Sequence, residues 1–264
     1  MIATFAAAAA IGIVIGLLSG MLGIGGGMVM VPVFRLLFGM SAVCSTATSL
    51  FTIIPTSISG VVSHTRRKTC IPKFGVALGV GGACTSWLGV WLAQLSPGWC
   101  IMCATALAIV YSAVTMLRKA IKAPHPSGDG ETAPAPQPSL STPLLAQSAG
   151  IGAAAGVVSG YVGLGGGFIM VPLMLSFLHI PMKLASGTSL IAVLILALPA
   201  SIMQCVLGNV DYLVGIAVAC GSIPGAIAGA RLVSRIPERS LRLIFAVLLG
   251  VAAALLVLKE FGIL

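Results

Sequence analysis

The stretch at 16–32, GLLSGMLGIGGGMVMVP, returns at 156–172 as GVVSGYVGLGGGFIMVP, with 10 of 17 positions identical. The offset of 140 continues without a gap. Thr48-Ser49-Leu50 matches Thr188-Ser189-Leu190, Gly75 matches Gly215, Gly81 matches Gly221 and Pro97 matches Pro237. The chain therefore reads as two copies of one unit of roughly 120 residues. In each copy three consecutive glycines, Gly25-Gly26-Gly27 and Gly165-Gly166-Gly167, interrupt apolar sequence. Inside a helix each would cost ~1 kcal/mol relative to alanine, so each cluster marks a break.

Charged residues make up only 7% of the chain and hydrophobic ones 58%, with a mean hydropathy of +1.14. A globular domain carries about 25% charged residues, so several segments here must lie in lipid. The formal net charge is +9, but the basic residues stand in short loops between apolar runs, where topology explains them without nucleic acid. The first ten residues lack a basic n-region and lead straight into the first motif, which argues against a cleaved leader. The seven cysteines lie mostly within apolar runs, as small buried thiols do. Cys100 and Cys103 are one turn apart, yet no histidine or second pair accompanies them, so no metal or cofactor is expected.

Eight apolar segments emerge, at 2–38, 42–63, 74–95, 99–117, 144–178, 182–207, 212–230 and 243–258. Residues 119–143 contain six prolines and read as a solvated linker between a first repeat at 1–118 and a second at 144–264. In the first segment, 2–19 gives a helix of spanning length, but only about 11 residues follow the break, ~16 Å of helix against a core of ~30 Å. That second arm reaches halfway. Were all eight segments to cross once, basic residues would divide eight against six between the faces. If segments 1 and 5 instead break and return to the face they entered, Arg66, Arg67, Lys68, Lys73, Arg118, Lys119, Lys122, Lys183, Arg231, Arg235, Arg239 and Arg242 share one side, leaving Arg35 and Lys259 opposite. Twelve against two is what the positive-inside rule expects. Both termini then lie outside, the linker is cytoplasmic, and three full spans per half invert one copy relative to the other.

A short helix that begins within the bilayer presents unbonded N–H groups and about half a positive charge, which suits an anion. Gly25, Gly26, Gly27 and Met28, with Gly165, Gly166, Gly167 and Phe168, are therefore the candidate binding residues, two helix starts facing one another around a compact oxyanion. Close packing of broken helices is the competing reading of the same glycines. Along segment 2, Ser45, Ser49, Thr52, Thr56, Ser59 and Ser63 form one helical stripe, either a hydrated wall or hydroxyls bonded to their own preceding turn. Thr48, Ser49, Thr188 and Ser189, nearest the breaks and shared by both copies, are the better candidates.

Asp129, Glu131, Asp211, Glu238 and Glu260 fall in loops, linker or tail, so no buried carboxylate relay is offered. His64 and His179 stand near segment ends, and are read as interfacial. Arg35 and Arg231 could attract anions at a mouth or extend toward headgroups. No glycine cluster runs into Gly-Lys-Ser/Thr, so ATP is not an expected driver. Ser19-Gly20 and Ser159-Gly160 superficially suit a hydrolase nucleophile, but their duplication without a nearby base argues against an enzyme.

With both motifs in view, the chain resembles the sulfite exporter TauE/SafE family, through residues 16–27 with Val31-Pro32, residues 156–167 with Val171-Pro172, and the two Thr-Ser-Leu triplets. The resemblance implies movement of sulfite, or of sulfonates such as sulfoacetate, across the bacterial cytoplasmic membrane. The resulting expectation is an all-α integral membrane protein of two inverted repeats, each a broken or re-entrant helical hairpin followed by three transmembrane helices. It would transport a small anion, with the lipid bilayer as its other partner and a homo-oligomer left open. A passive anion channel and a non-transporting anchor subunit are the alternatives.

Overall fold

The computed structural model describes residues 2–122, 142–178, 180–233 and 235–260. They form helices throughout: α1 (Ile2–Leu22), α2 (Gly27–Leu37), α3 (Ala42–Arg66), α4 (Pro72–Leu95), α5 (Gly98–Lys122), α6 (Thr142–Val162), α7 (Gly167–Phe177), α8 (Met182–Val206), α9 (Tyr212–Leu232) and α10 (Glu238–Glu260). The offset of 140 carries each of the first five onto one of the last five. Residues 119–122 and 142–143, at the edges of the expected linker, belong to α5 and α6; the rest of it lies outside the described residues. Seven of these helices are long and apolar enough to cross a membrane, while α2 and α7 have 11 residues each. Both long apolar runs thus divide at the glycines.

Local chemistry fixes the ends. Ser41 accepts the Cys44 amide at the start of α3, and Asp211 accepts the Val214 amide at the start of α9. Pro72 opens α4 at the first-turn position where its missing N–H costs nothing. At α8 no side chain of its own caps the helix; Glu238 Oε1 accepts the Met182 amide at 2.8 Å and also binds Arg242. Helix α8 stops at left-handed Gly208, with the Asn209 amide bonded back to Gln204. Its counterpart α3 stops the same way on Lys68, at φ 57°, a conformation costing a non-glycine residue ~1–2 kcal/mol.

The two halves exchange partners. Helix α1 packs along α9, and α6 packs along α4. Gly12, Gly16 and Gly20 lie against the main chain of Val218, Ser222 and Ala226, while Gly221, Gly225 and Gly229 lie against Ala9, Ile13 and Leu17. Both helices therefore run in one direction, backbone against backbone, with small residues at four-residue spacing on each. The second pair repeats this with Gly152, Gly156 and Gly160 on α6 and Gly81 and Gly89 on α4. Where α9 has Gly225, α4 has Thr85, whose hydroxyl donates to the Ala153 carbonyl at 2.7 Å.

Helices α3 and α8 cross antiparallel at the centre, Gly60 against Leu190 and His64 against Gly187. The contacts between the halves are reciprocal, α1 on α9 being matched by α6 on α4. Helix α1 extends as far as His64 near the end of α3, the chain turns back at the glycines, and α2 begins beside Ile53 at the middle of α3. Its first arm is full-length and its second is half that.

Candidate functional site

Both breaks are wholly buried and they touch. Gly23, Gly25 and Gly26 have φ of 75°, 77° and 90°, and Gly163, Gly165 and Gly166 have 74°, 79° and 72°. This left-handed backbone is the conformation that side chains disfavour and glycine tolerates. A methyl placed on Gly27 would stand 2.7 Å from the Leu164 carbonyl and 2.6 Å from Ile53, and one on Gly167 would strike the Gly23 carbonyl and Ile24. Each short helix thus starts against the main chain of the opposite break. Ile53 and its counterpart Val193 lie over Gly25 and Gly165 and fill the space between them.

Gly26 and Gly166 are the N-caps of α2 and α7, and neither start has a side-chain cap. The helices begin five residues before Pro32 and Pro172, which therefore lie inside them rather than in the first turn. Among the described residues the amides of Gly27, Met28 and Phe168 have no acceptor, while the Gly167 amide donates to the Gly165 carbonyl at 2.9 Å.

The four nominated hydroxyls fasten this assembly. Ser49 donates to the Gly163 carbonyl and Ser189 to that of Gly23, each pinning the other half's break. Thr48 accepts the Asp211 amide at 3.0 Å and Thr188 accepts the Ile71 amide at 2.9 Å, so each closes the loop entering α9 or α4.

The hydroxyls left over were not singled out as ligands from the sequence. Ser19, Ser57 and Ser159 are buried, at most 1% exposed, and their Oγ atoms have no hydrogen-bond partner. Each borders a break. A methyl on Gly166 would lie 3.5 Å from Ser159 Oγ, one on Gly25 3.5 Å from Ser57 Oγ, and one on Gly26 3.5 Å from Ser19 Cβ. A buried hydroxyl without a partner costs about 1–3 kcal/mol, so three beside two turns that also hold unbonded amides concentrate unmatched donors at the breaks. The signal was present in the duplicated Ser-Gly pairs, four residues before Gly23 and Gly163.

The stripe on α3 divides. Thr52, Thr56 and Ser59 donate to carbonyls of their own preceding turn, and Thr52 and Thr56 also reach Gly215 and Ser222 on α9. Beyond them Ser59 and Ser63 open onto a cavity of about 450 Å³, completed by Val62, Arg66, Arg67, Ile227 and Arg231. His64, expected at an interface, is instead fully buried. Its Nε2 donates to the Gly20 carbonyl, so Nδ1 accepts from Thr69, both at 2.8 Å, tying α3 to the last turn of α1. Arg35 donates to the Met40 carbonyl in the loop after α2. His179, Asp129 and Glu131 lie outside the described residues, as does the side chain of Glu260. No group of three histidine, cysteine or acidic residues placed to hold a metal occurs among the described residues.

Described residues that are helical throughout, with seven helices of spanning length and two buried breaks, have the architecture of a polytopic membrane protein. The chain belongs to the sulfite exporter TauE/SafE family, whose model matches residues 8–256. It is similar to the probable membrane transporter protein YdhB of Bacillus subtilis, 31% identical over 85% of this chain and 88% of that one. A second Bacillus subtilis protein, the probable membrane transporter protein YunE, is 24% identical over 90% and 92%, and a probable membrane transporter protein of Xylella fastidiosa is 23% identical over 89% and 85%. No solved structure matches significantly. The chain is thus a multi-pass membrane transporter and not an enzyme.

Proposed function

We propose that the chain is a secondary transporter that exports small sulfur-containing anions, such as sulfite or organosulfonates, across the cytoplasmic membrane. The observation that carries this reading is the set of unmatched donors at the breaks, the hydroxyls of Ser19, Ser57 and Ser159 with the amides of Gly27, Met28 and Phe168. An oxyanion is the complement of such donors, since it accepts several hydrogen bonds and brings negative charge to helix N-termini. Gly25, Gly26, Gly165 and Gly166 put no side chain of their own over these donors, so that Ile53 and Val193 need to move for an anion to reach them, while Thr48, Ser49, Thr188 and Ser189 hold the two breaks in register. The contact between breaks beneath Ile53 and Val193 is then a closed state, and transport separates it toward one face at a time as the halves rock.

In this reading the repeats are inverted in the membrane, with both termini outside and the linker cytoplasmic. The contacts support it: α1, α3 and α9 run in parallel, and α2 returns toward the end of α3 from which α1 set out. Cysteines introduced near Met1 and Leu264, in a background without the native seven, are expected to react with an impermeant maleimide on intact cells, and one at Ser127 only after lysis. The reverse pattern would overturn the topology.

The functional test is sulfite or sulfoacetate flux in proteoliposomes. Gly26→Leu and Gly166→Leu each place a side chain on left-handed backbone beside Ser19 or Ser159, at ~1–2 kcal/mol of backbone strain. Flux is expected to fall at least tenfold in protein that still elutes as one species. Parental flux from both variants would move the site elsewhere.

A further inference from the structure

The contacts between the halves are reciprocal, but the two mouths are not alike. The cavity at the joint end of α3 and α9 is lined by Ser59, Ser63, Arg66, Arg67 and Arg231, with Val62 and Ile227. Shifting each residue by 140 gives the matching place at the end of α8 and α4: Pro199, Met203, Val206, Leu207 and Trp91, with Ile202 and Trp87. Every hydroxyl and every guanidinium has an apolar counterpart, and Trp87, Trp91, Ile202, Val206 and Leu207 are exposed. Topology alone accounts for basic residues at one face and not the other, but it does not require Ser59 and Ser63, where the other copy has Pro199 and Met203, to join three arginines around one cavity. The polar mouth also adjoins the first break. Gly20 of α1 packs on Ala226, next to Ile227, and its carbonyl is held by His64, which follows Ser63 and precedes Arg67 by about one turn.

We infer that this cavity is an oxyanion-binding vestibule, present at one mouth only, which captures the anion before it reaches the first break. The inference rests on the transport reading above for the direction of passage, and on the cavity alone for binding. Guanidinium groups match an oxyanion with two parallel hydrogen bonds, and a recess focuses their field more than an open surface would. The ligand class is a small sulfonate, sulfite or phosphate group. A free solute and an anionic lipid headgroup share that chemistry, and the test separates them.

The experiment compares the parent, Arg66→Gln with Arg67→Gln, Arg66→Lys with Arg67→Lys, and Arg118→Gln, whose exposed arginine is on α5 outside the cavity. Sulfoacetate flux is measured separately from each side of proteoliposomes of known orientation. Binding of radiolabelled sulfoacetate is measured in neutral detergent and in nanodiscs with and without phosphatidylglycerol. The glutamine pair is expected to raise KM about tenfold from the cavity side only, with kcat within twofold. The lysine pair, which keeps the charge that sets topology, should fall between, and Arg118→Gln should match the parent. Unchanged KM and unchanged binding in the glutamine pair would overturn the vestibule, as would an equal effect of Arg118→Gln. Binding abolished by phosphatidylglycerol in the parent would assign the cavity to lipid and overturn it too. A parent that binds sulfoacetate through these arginines but moves none would sustain the vestibule and overturn the transport reading instead.

Discussion

Replacing Ser19 and Ser159 together with alanine is expected to make the protein more heat-stable and a far weaker transporter. The two effects have one cause. In the structure each Oγ is buried without a partner, a state that costs about 1–3 kcal/mol, and alanine removes that cost without opening much space. With an anion bound, each hydroxyl would donate a charge-assisted hydrogen bond of ~1.5–3 kcal/mol, so losing one weakens binding about 10–100-fold. Thermal unfolding and sulfoacetate binding on the same preparation check both halves of the statement. A variant that melts earlier and binds normally would make the hydroxyls structural. The first break also has Ser57, where the second has Ala197, so Ser57→Ala should weaken binding further, in keeping with a primary site at the first break.

The other large effect is expected at the interface of α1 with α9. Gly221→Val should yield no folded, monodisperse protein. Its first added carbon would clash with the Ala9 carbonyl, which is backbone and has no rotamer by which to withdraw. Separating the helices to admit it would break contacts along their whole length, a loss beyond about 4–5 kcal/mol. Gly250→Val on α10 is the control, because nothing stands within 4 Å of the added carbon there. Size-exclusion profiles after detergent extraction distinguish the outcomes, and a monodisperse Gly221→Val protein would refute the packing account.

Which residues form helices was plain in the sequence, because membrane spans are written in long apolar runs and breaks in glycine clusters. The break after Leu22 and the 11-residue arm that follows it needed no tertiary information. Partnership was hidden. That α1 belongs with α9 and α6 with α4 depends on the fold, although Gly12-Gly16-Gly20 and Gly221-Gly225-Gly229 carried the four-residue spacing of close helix contact. The candidate site shows the same division. Glycine positions with positive φ could be anticipated from the motif, but the roles of neighbouring hydroxyls could not. Ser49 and Ser189 look equivalent to Ser19 and Ser159 in composition, and only the three-dimensional arrangement reveals that the first pair is engaged with carbonyls and the second is not. Likewise, His64 lies at a segment end by residue count, yet the antiparallel crossing of α3 and α8 covers it completely.

The exchange of partners between halves also dictates an order of events at the ribosome. Helix α1 is made first, but the glycine surface that receives it on α9 follows roughly 200 residues later, about 10–40 s at ordinary synthesis rates. During that interval a helix bearing a bare strip of backbone must wait in the insertion machinery or in lipid, while α4 likewise waits for α6. Neither half released alone would close its own contacts, so truncation after the first copy should leave a substrate for membrane quality control rather than a smaller working protein.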